Sequence, residues 1–254
     1  RLATGGMAEI YAARTLSQVG VERYVVIKRV LPNLAADTEF LQMFLDEARL
    51  AAQLHHPNIA AVYDVGKLSG SYFIALEYVH GVTVRSLAIA AQEKGKPMPL
   101  QQALTIAVGT AAGLHHAHQR NGADGKPLGI VHRDVSPANV MVSYEGVVKV
   151  VDFGIAKAAR RTTGETETGS VKGKVAYMSP EQCRGEDVDR RSDIFSLGIC
   201  LHELLTGQRL FRRPNDYETM TAIVHGPIEA PSRRRAGIPR VIDDLVMTAL
   251  EREA

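Results

Sequence analysis

The spacing of hydrophobic residues predicts that the first third of the chain is mainly strand. Short apolar runs bounded by turn residues predict strands at 9–12, 24–28, 59–65 and 72–78. Between 37 and 54, apolar residues such as Phe40 and Phe44 recur at the helical period, and Asp37 precedes them as a candidate N-cap. We therefore expect a small β-rich unit that contains one helix.

After Gly81 the pattern becomes mainly helical. Apolar residues repeat at the helical period in 100–119, and an apolar helix predicted at 191–205 ends at Gly207. Further helices are predicted at 216–224 and 241–250, and two short strands at 139–142 and 147–151 flank a hairpin turn at 144–146. The simplest assembly is an α+β chain with a small β-rich lobe, residues 1–78, and a larger helical lobe, residues 79–254.

Composition narrows the class of protein. The chain has 254 residues, enough for one large domain or two small lobes, and 45% of them are hydrophobic. The formal net charge of +2 argues against a dedicated nucleic-acid-binding protein. The densest basic run, Arg233, Arg234 and Arg235, lies among Pro, Ser and Gly residues, so we expect a solvated loop there rather than a phosphate-binding patch.

Two cysteines, Cys183 and Cys200, without a C-x-x-C spacing predict neither a zinc site nor a disulfide framework. This usage favours a reducing, cytoplasmic environment. No apolar stretch approaches about 20 residues, so we expect no membrane contact by this domain. The sequence begins within a pattern and stops inside a predicted helix. We therefore expect a domain trimmed at both ends from a longer chain, and any membrane anchor would lie outside residues 1–254.

The most specific chemical signal is His-Arg-Asp-Val-Ser-Pro-Ala-Asn at 132–139, followed by Asp-Phe-Gly at 152–154. Asp134 is a candidate base for an attacking hydroxyl, and Asn139 and Asp152 offer the oxygen ligands that Mg²⁺ prefers. A single Asp in a loop is more often a turn former, but that explanation does not account for the joint spacing. The pattern predicts a phosphoryl-transfer centre.

A second group of residues could position phosphates. Gly5 and Gly6 lie in a flexible turn whose backbone N–H groups could approach phosphate oxygens, although a plain hairpin is about as consistent with them. Lys28 ends an apolar strand, and Glu47 lies among apolar neighbours on the following helix. We expect these two to pair, holding the ammonium against the α- and β-phosphates of a nucleotide.

Three histidines, His115, His116 and His118, lie close together in the predicted helix at 100–119. His115 and His118 share a helix face, which would suit a metal site. No acidic or sulfur ligand lies nearby in the sequence, so packing or capping roles are favoured over metal binding.

Taken in order, these motifs resemble those of the protein-kinase superfamily, specifically the bacterial eukaryotic-like (Hanks-type) Ser/Thr kinases. The resemblance covers nearly the whole chain. Its segments are the Gly-rich loop at 5–8, Val-Val-Ile-Lys at 25–28, Glu47, His-Pro-Asn-Ile at 56–59, the gatekeeper and hinge at 76–79, the motifs at 132–139 and 152–154, Tyr-Met-Ser-Pro-Glu at 177–181, and Asp-Ile-Phe-Ser-Leu-Gly at 193–198. Each segment alone is modest, but their common order is a strong signal.

The resemblance implies a two-lobed protein-kinase fold, with a small antiparallel β-sheet and one αC helix in the N-lobe and a larger, mostly helical C-lobe. It implies a non-specific serine/threonine protein kinase that uses ATP with Mg²⁺, for which Mn²⁺ could substitute, and a protein substrate. The implied nucleotide-binding residues are Gly5, Gly6, Ile10, Val26, Lys28, Leu76, Glu77, Val79, Met141 and Asp152. The implied catalytic residues are Lys28, Glu47, Asp134 and Asn139, and the implied metal ligands are Asn139 and Asp152.

Two residues depart from the family pattern at one place. The family normally has Lys two residues after the catalytic Asp, where this chain has Ser136, and Thr where it has Lys174. We interpret this as a relocated cation, with Lys174 reaching back between Asp134 and Ser136 to serve the γ-phosphate. Unit charges ~4 Å apart at an effective dielectric of ~20 interact by about 4 kcal/mol, which favours keeping a cation there. The alternative is an exposed Lys174 and a slow or inactive domain.

The segment at 155–177 carries candidate phosphorylation sites, namely Thr162, Thr163, Thr166, Thr168 and Ser170. The Thr-x-Thr pair at 166 and 168 resembles the autophosphorylation pair of bacterial relatives. A phosphate on this segment could pair with Arg133 and activate the enzyme. The alternative is that these residues only make a mobile loop. Autophosphorylation in trans would make a homodimer a further possible partner.

Three other functions compete with this interpretation. A pseudokinase that signals by conformation is slightly favoured by Ser136 and the sparse glycines, but it does not require Lys28, Asp134, Asn139 and Asp152 together. A small-molecule phosphotransferase would lack the Tyr-Met-Ser-Pro-Glu segment and the Thr-rich loop. A tyrosine kinase would carry an Ala-Ala-Arg pattern in its catalytic loop, which this chain lacks.

Overall fold

The structure is a computed structural model that describes residues 1–16, 20, 22–68, 70–153 and 174–253, and the side chain of Glu47 lies outside the described part. The smaller lobe contains an antiparallel sheet of five described strands. These strands are β1 (Ala3–Thr4), β2 (Ala8–Leu16), β3 (Glu22–Val30), β4 (Val62–Leu68) and β5 (Ser71–Glu77). Their order in the sheet is β1-β2-β3-β5-β4.

One helix, α1 (Thr38–Ala51), covers a face of this sheet. Asp37 caps it by accepting a hydrogen bond from the backbone N–H of Phe40 at 3.0 Å. The rings of Phe40 and Phe44 lie 6.4 Å apart and pack with Val30 of β3 in a buried cluster. Burying each such side chain stabilises the lobe by roughly 1.5–3 kcal/mol. The helix and its N-cap are where the hydrophobic spacing predicts them.

The larger lobe is built mainly from helices. The described helices are α2 (Val84–Glu93), α3 (Leu100–His118), α4 (Pro180–Arg184), α5 (Arg190–Thr206), α6 (Asp216–His225) and α7 (Arg240–Ala249). The strands β6 (Gly81–Thr83), β7 (Val140–Ser143) and β8 (Val148–Val150) form a second sheet in the order β6-β7-β8. These elements confirm the predicted two-lobed α+β architecture.

Helix α5 is the centre of the larger lobe. It is buried on nearly all sides, as Phe195, Ile199 and Leu205 illustrate, and the Phe195 ring stacks on Phe211 at 6.2 Å. A helix enclosed in this way belongs to the interior of a domain. It ends at Gly207, whose φ of 71° is a left-handed conformation that glycine adopts without a steric penalty.

Asn58 joins the two lobes behind the cleft. Its side-chain Nδ2 donates to the carbonyl oxygen of Val148, and its own carbonyl accepts from the backbone N–H of Val150, both at 2.8 Å. Helix α3 passes close to this residue at Gly113, where an added Cβ would lie 2.8 Å from the Asn58 carbonyl oxygen. Glycine is therefore needed for this approach, which brings α3 against the junction.

The structure differs from the sequence predictions in several places. The strand predicted at 59–65 begins only at Val62, because Ile59 forms an isolated bridge with Val150 of the other lobe. Helix α2 was missed, although Thr83 caps it by accepting the Ser86 N–H at 3.1 Å. The run expected to be solvated is partly structural, because Arg235 donates to carbonyl oxygens at two separate points of the lobe. Those acceptors are Met98, at 2.7 Å, and Leu205, at 2.8 Å.

No helix in the described residues is both long and apolar enough to cross a membrane. Of the two cysteines, Cys200 is buried in α5 and Cys183 is partly buried.

His202 of α5 should make stability depend on pH. It is fully buried, its Nε2 lies 3.0 Å from the carbonyl oxygen of Glu229, and burial lowers its pKa below the usual value of 6.5. The unfolded chain takes up a proton as the pH falls through about 6.5, whereas the native state resists it, so stability is lost on acidification. His202→Gln keeps an N–H donor but does not titrate, so we expect its melting temperature to fall less between pH 7.5 and 5.5.

His225→Gln is the matched control, because His225 is exposed at the end of α6. This variant should follow the wild type in thermal denaturation at both pH values. Equal acid sensitivity of the wild type and His202→Gln would contradict the assignment.

Candidate active site

Asp193, near the start of α5, fixes the backbone of the 132–139 loop. Its carboxylate accepts the backbone N–H groups of His132 and Arg133, both at 2.8 Å, and contacts Nε2 of His118 at 2.7 Å. Asp193 is fully buried, where such charge-assisted bonds are strong. Arg133 has a left-handed φ of 63°, a conformation that costs of order 1–3 kcal/mol, so the bonds to Asp193 hold a strained turn in place.

This loop brings Asp134 and Asn139 together. Nδ2 of Asn139 donates to both the carbonyl oxygen and Oδ2 of Asp134, at 2.8 Å each. The backbone N–H of Asp134 donates to Nδ1 of His132 at 3.2 Å. The Asp134 side chain is 12% exposed, so its carboxylate is shielded on most sides and oriented by its neighbours.

Asp152 follows β8 and meets Lys28 of β3. Nζ of Lys28 lies 2.5 Å from Oδ1 of Asp152, and this cation is the main reason why the pKa of Asp152 falls to about 2. The next residue, Phe153, packs its ring against His132 with the ring centroids 4.6 Å apart. Asp152 is therefore ionised at neutral pH and is tied to the 132–139 loop through its neighbour.

Lys174 lies at the same centre. Its Nζ is 3.0 Å from Oδ2 of Asp134, the oxygen that also accepts from Asn139. Its charge also contributes, after that of Lys28, to the lowered pKa of Asp152. The structure thus brings together Lys28, Asp134, Asn139, Asp152 and Lys174.

The candidate nucleotide residues of the sheet share one face. Cross-strand partners in a sheet point to the same side, and so do residues two apart along a strand. Ile10 lies opposite Lys28, and Val26 lies opposite Leu76, so these side chains occupy the Lys28 face of the sheet. Met141 belongs to β7 of the other lobe, where it pairs with Thr83.

The connection between the lobes is held by Glu77. Its carboxylate accepts from Nζ of Lys149 at 2.8 Å and from the backbone N–H of Ala61 at 3.0 Å. Its own backbone N–H donates to the Ala61 carbonyl at 2.8 Å. Val79, two residues on, is buried. The Glu77–Lys149 ion pair, which spans the lobes, has no distinctive sequence signal.

Other predicted residues are less constrained or lie outside the described part. Gly5 and Gly6 form the turn between β1 and β2, closed by the Gly5 N–H on the Ala8 carbonyl at 2.9 Å. The Glu47 side chain is not described, so its predicted pairing with Lys28 stays a prediction. Thr162, Thr163, Thr166, Thr168 and Ser170 also lie outside the described residues.

Ser136 is 4% exposed, and its hydroxyl is a buried polar group without a hydrogen-bond partner among the described residues. The histidine cluster has structural roles in the structure. His118 supports Asp193, and the His116 ring stacks on His56 with the centroids 5.0 Å apart. The described residues contain no group of three or more His, Cys, Asp or Glu side chains arranged to hold a metal.

A comparison with known protein families finds a match over nearly the whole chain. The family model described as "Protein kinase domain" matches residues 1–253. The chain belongs to the protein kinase family. The two lobes and the cleft between them are accordingly the kinase fold predicted from the motifs.

Several curated kinases are similar to this chain. The "Tyrosine-protein kinase MasK" of Myxococcus xanthus is 46% identical over 250 residues, covering 98% of this chain and 38% of that protein. The "Serine/threonine-protein kinase PknB" of Mycobacterium leprae is 40% identical, and PrkC of Bacillus subtilis, with the same description, is 38% identical, each over 253 residues. They are covered to 38% and 36% of their own length, so the chain spans less than two fifths of these relatives.

Solved structures agree with this family. The PknI kinase domain of Mycobacterium tuberculosis superposes with a TM-score of 0.69 at 28% sequence identity. The match covers 99% of this chain and 85% of that one.

The donor set of the kinase site fits a magnesium ion. Asp152 is a carboxylate held in its charged form, and both bonds of Asn139 to Asp134 use the amide nitrogen, so its amide oxygen is not engaged by them. Mg²⁺ prefers such hard oxygen ligands and is commonly bound by one or two protein groups together with phosphates.

The support that Asp193 gives to the loop can be tested by stability. Asp193→Asn removes a buried acceptor charge and leaves at least one N–H donor poorly matched, so we expect a loss of about 2–4 kcal/mol in unfolding free energy. Asp189→Asn is the matched control. Asp189 is the exposed N-cap of the same helix, and Asn caps helices about as well. Chemical denaturation should show a large loss only for Asp193→Asn, and similar losses in both would refute the assignment.

Proposed function

We propose that this chain is the catalytic domain of a serine/threonine protein kinase, which transfers the γ-phosphate of ATP to a hydroxyl of a protein substrate. The single observation that carries the proposal is the convergence of Asp134 and Asp152, each in contact with a lysine, in one cleft between the lobes. The family match supports the kinase class, and the geometry supports an intact transfer centre.

Nucleotide binding is assigned to the part of this cleft that lies against the sheet of the smaller lobe. The Glu77 carbonyl and the Val79 N–H are positioned by the connection between the lobes to bond the edge of adenine. Ile10, Val26 and Met141 supply apolar surface for the faces of the ring. Lys28 supplies a cation for the α- and β-phosphates, and the turn at Gly5 and Gly6 supplies backbone N–H donors.

The transfer step follows from the carboxylate of Asp134. The oxygen of the substrate hydroxyl forms a bond to the γ-phosphorus, while the bond from that phosphorus to the β–γ bridging oxygen breaks and its electron pair leaves with ADP. Asp134 orients the hydroxyl and accepts its proton. Asn139 holds the Asp134 side chain in position through its two hydrogen bonds. Positioning and electrostatic stabilisation account for most of the catalysis.

Asn139 and Asp152 are the residues that would hold Mg²⁺. The ion, when bound, neutralises charge that develops on the phosphate oxygens. The pKa of about 2 keeps Asp152 ionised, so the carboxylate is ready for a cation without losing a proton first. Mn²⁺, which accepts the same oxygen ligands, could replace it.

The acceptor is assigned as Ser or Thr rather than Tyr. PknB and PrkC are described as serine/threonine kinases, whereas MasK, at higher identity, is described as a tyrosine kinase. The catalytic loop of this chain has Val-Ser-Pro-Ala where a tyrosine kinase would show its Ala-Ala-Arg pattern. The substrate class thus rests on this loop and on the two serine/threonine relatives.

Transfer of ³²P from labelled ATP to casein tests the function, and phosphoamino-acid analysis of the product tests the acceptor. We expect label on Ser or Thr, and Asp134→Asn should lower the rate on the order of a hundredfold or more. Thermal shifts with Mg-ATP provide the binding control: Asp134→Asn should keep the shift, and Asp152→Asn should lose most of it. A wild type that is stabilised by Mg-ATP but transfers no label would instead be a pseudokinase. Label on Tyr would assign the chain to the class named for MasK.

Autophosphorylation is part of the proposal, at Thr166 and Thr168 first and at Thr162, Thr163 and Ser170 as further sites. After incubation with Mg-ATP, mass spectrometry should find phosphate in 162–170 of the wild type and none in Asp134→Asn. When the two proteins are mixed, phosphate on the Asp134→Asn copies would show transfer in trans between two chains. An unmodified segment in a wild type that phosphorylates casein would contradict activation by this route.

A further inference from the structure

The transfer centre of this chain includes a cation that lies outside the catalytic loop. Lys174 lies after the segment at 154–173 rather than in the catalytic loop, yet its Nζ is 3.0 Å from Oδ2 of Asp134. The side chain is 43% exposed, and a lysine with that much freedom is usually directed to water. Here it contacts instead the carboxylate assigned to the attacking hydroxyl.

The position of Lys174 also brings its charge close to a residue assigned to the metal. Asn139 donates from Nδ2 to Oδ2 of Asp134 at 2.8 Å, and the Lys174 ammonium contacts the same oxygen. A terminal phosphate that is to be transferred must lie between the group that orients the nucleophile and the groups that bind metal. The ammonium of Lys174 thus lies beside the place that this phosphate is expected to take.

Ser136, in the catalytic loop, cannot supply a positive charge to this phosphate. Its side chain is short and uncharged, and it is 4% exposed, with no hydrogen-bond partner for its hydroxyl in the described part of the chain. A buried hydroxyl without a partner is costly, which indicates that a ligand or a water completes the site there. An anionic terminal phosphate cannot be balanced by this neutral hydroxyl, so the positive charge has to come from another residue.

The backbone that carries Lys174 is firmly attached to the larger lobe. The Lys174 carbonyl accepts the N–H of Tyr177 at 3.1 Å, and the Tyr177 carbonyl accepts the hydroxyl of Ser196, on α5, at 2.7 Å. The Tyr177 hydroxyl donates to the buried carboxylate of Glu203 at 2.7 Å. Gln182 of α4 donates to the Arg133 carbonyl at 3.0 Å, which links the same segment to the catalytic loop.

We propose that Lys174 is a catalytic residue that stabilises charge on the γ-phosphate during its transfer, in place of a catalytic-loop lysine, so that docking of the 174–178 turn delivers a charge required for transfer. The proposal rests on the kinase function above. It differs from an ion pair that only stabilises the fold, because the ammonium would leave Asp134 partly for the phosphate during the reaction. Competence would then depend on the position of this turn as well as on nucleotide binding.

The test compares rates of phosphate transfer among variants of residues 1–254 that carry one or two substitutions. Lys174→Thr should lower kcat on the order of a hundredfold, as for the loss of one charge-stabilising donor, with KM for ATP within about threefold of the wild type. Lys174→Arg keeps the charge and should retain activity within about tenfold. Lys126→Thr removes a lysine from an exposed loop and is the matched control, with no expected change.

The decisive variant restores the charge from the other side. Ser136→Lys combined with Lys174→Thr should recover most of the lost kcat, because a lysine at 136 starts two residues from Asp134. Recovery in this double variant, together with a normal Mg-ATP thermal shift in Lys174→Thr, supports the proposal. A purely structural role would not be rescued by a lysine on a different segment.

The outcomes separate this proposal from the function on which it rests. A wild type without any transfer refutes the kinase function itself. An active wild type whose Lys174→Thr variant has unchanged kcat refutes the role of Lys174. So does a Lys174→Thr variant that loses the Mg-ATP shift, because the residue would then act on structure or binding. A double variant as slow as Lys174→Thr, when Ser136→Lys alone is active, refutes it as well.

Discussion

The catalytic loop depends on one buried carboxylate. Asp193 holds two successive backbone N–H groups of the loop at 2.8 Å, and it does so from α5, the helix around which the larger lobe packs. The left-handed Arg133 would relax without these bonds, and the direction of Asp134 would change with it. The helix at the centre of the hydrophobic core therefore also holds the catalytic loop in place.

Each of the two acidic residues at the centre of the cleft lies against a lysine. Asp134 and Asp152 would repel each other and any phosphate between them, and each is compensated by a lysine from a different part of the chain. Lys28 belongs to the sheet of the smaller lobe and Lys174 to the larger lobe, so the cleft is lined by cations from both. Donors that are already in place when charge develops require little reorganisation, which is the main source of catalysis in phosphoryl transfer.

Much of this arrangement could be predicted from the sequence, because it is carried by local patterns. The helical period around Phe40 and Phe44 predicted α1, and Gly207 predicted the end of α5. The motif spacing predicted that Asp134, Asn139 and Asp152 share one site. Contacts between distant segments gave no such signal. The bridge of Ile59 to Val150, the bonds of Arg235 to two carbonyls and the Glu77–Lys149 pair depend on how the lobes pack, and no periodicity encodes them.

The location of a cation matters for control as well as for rate. A lysine in the catalytic loop would be held by the Asp193 contacts whatever the neighbouring segment does. Lys174 is held instead by the turn at 174–178, in which Tyr177 forms hydrogen bonds with Ser196 and Glu203. If Lys174 supplies the charge for transfer, only molecules with this turn docked carry it at the centre, and the observed rate scales with the docked fraction. Each ~1.4 kcal/mol that shifts the turn towards an undocked state, once that state predominates, lowers the rate tenfold. Activity could then be adjusted through a few local contacts while nucleotide binding stays unchanged.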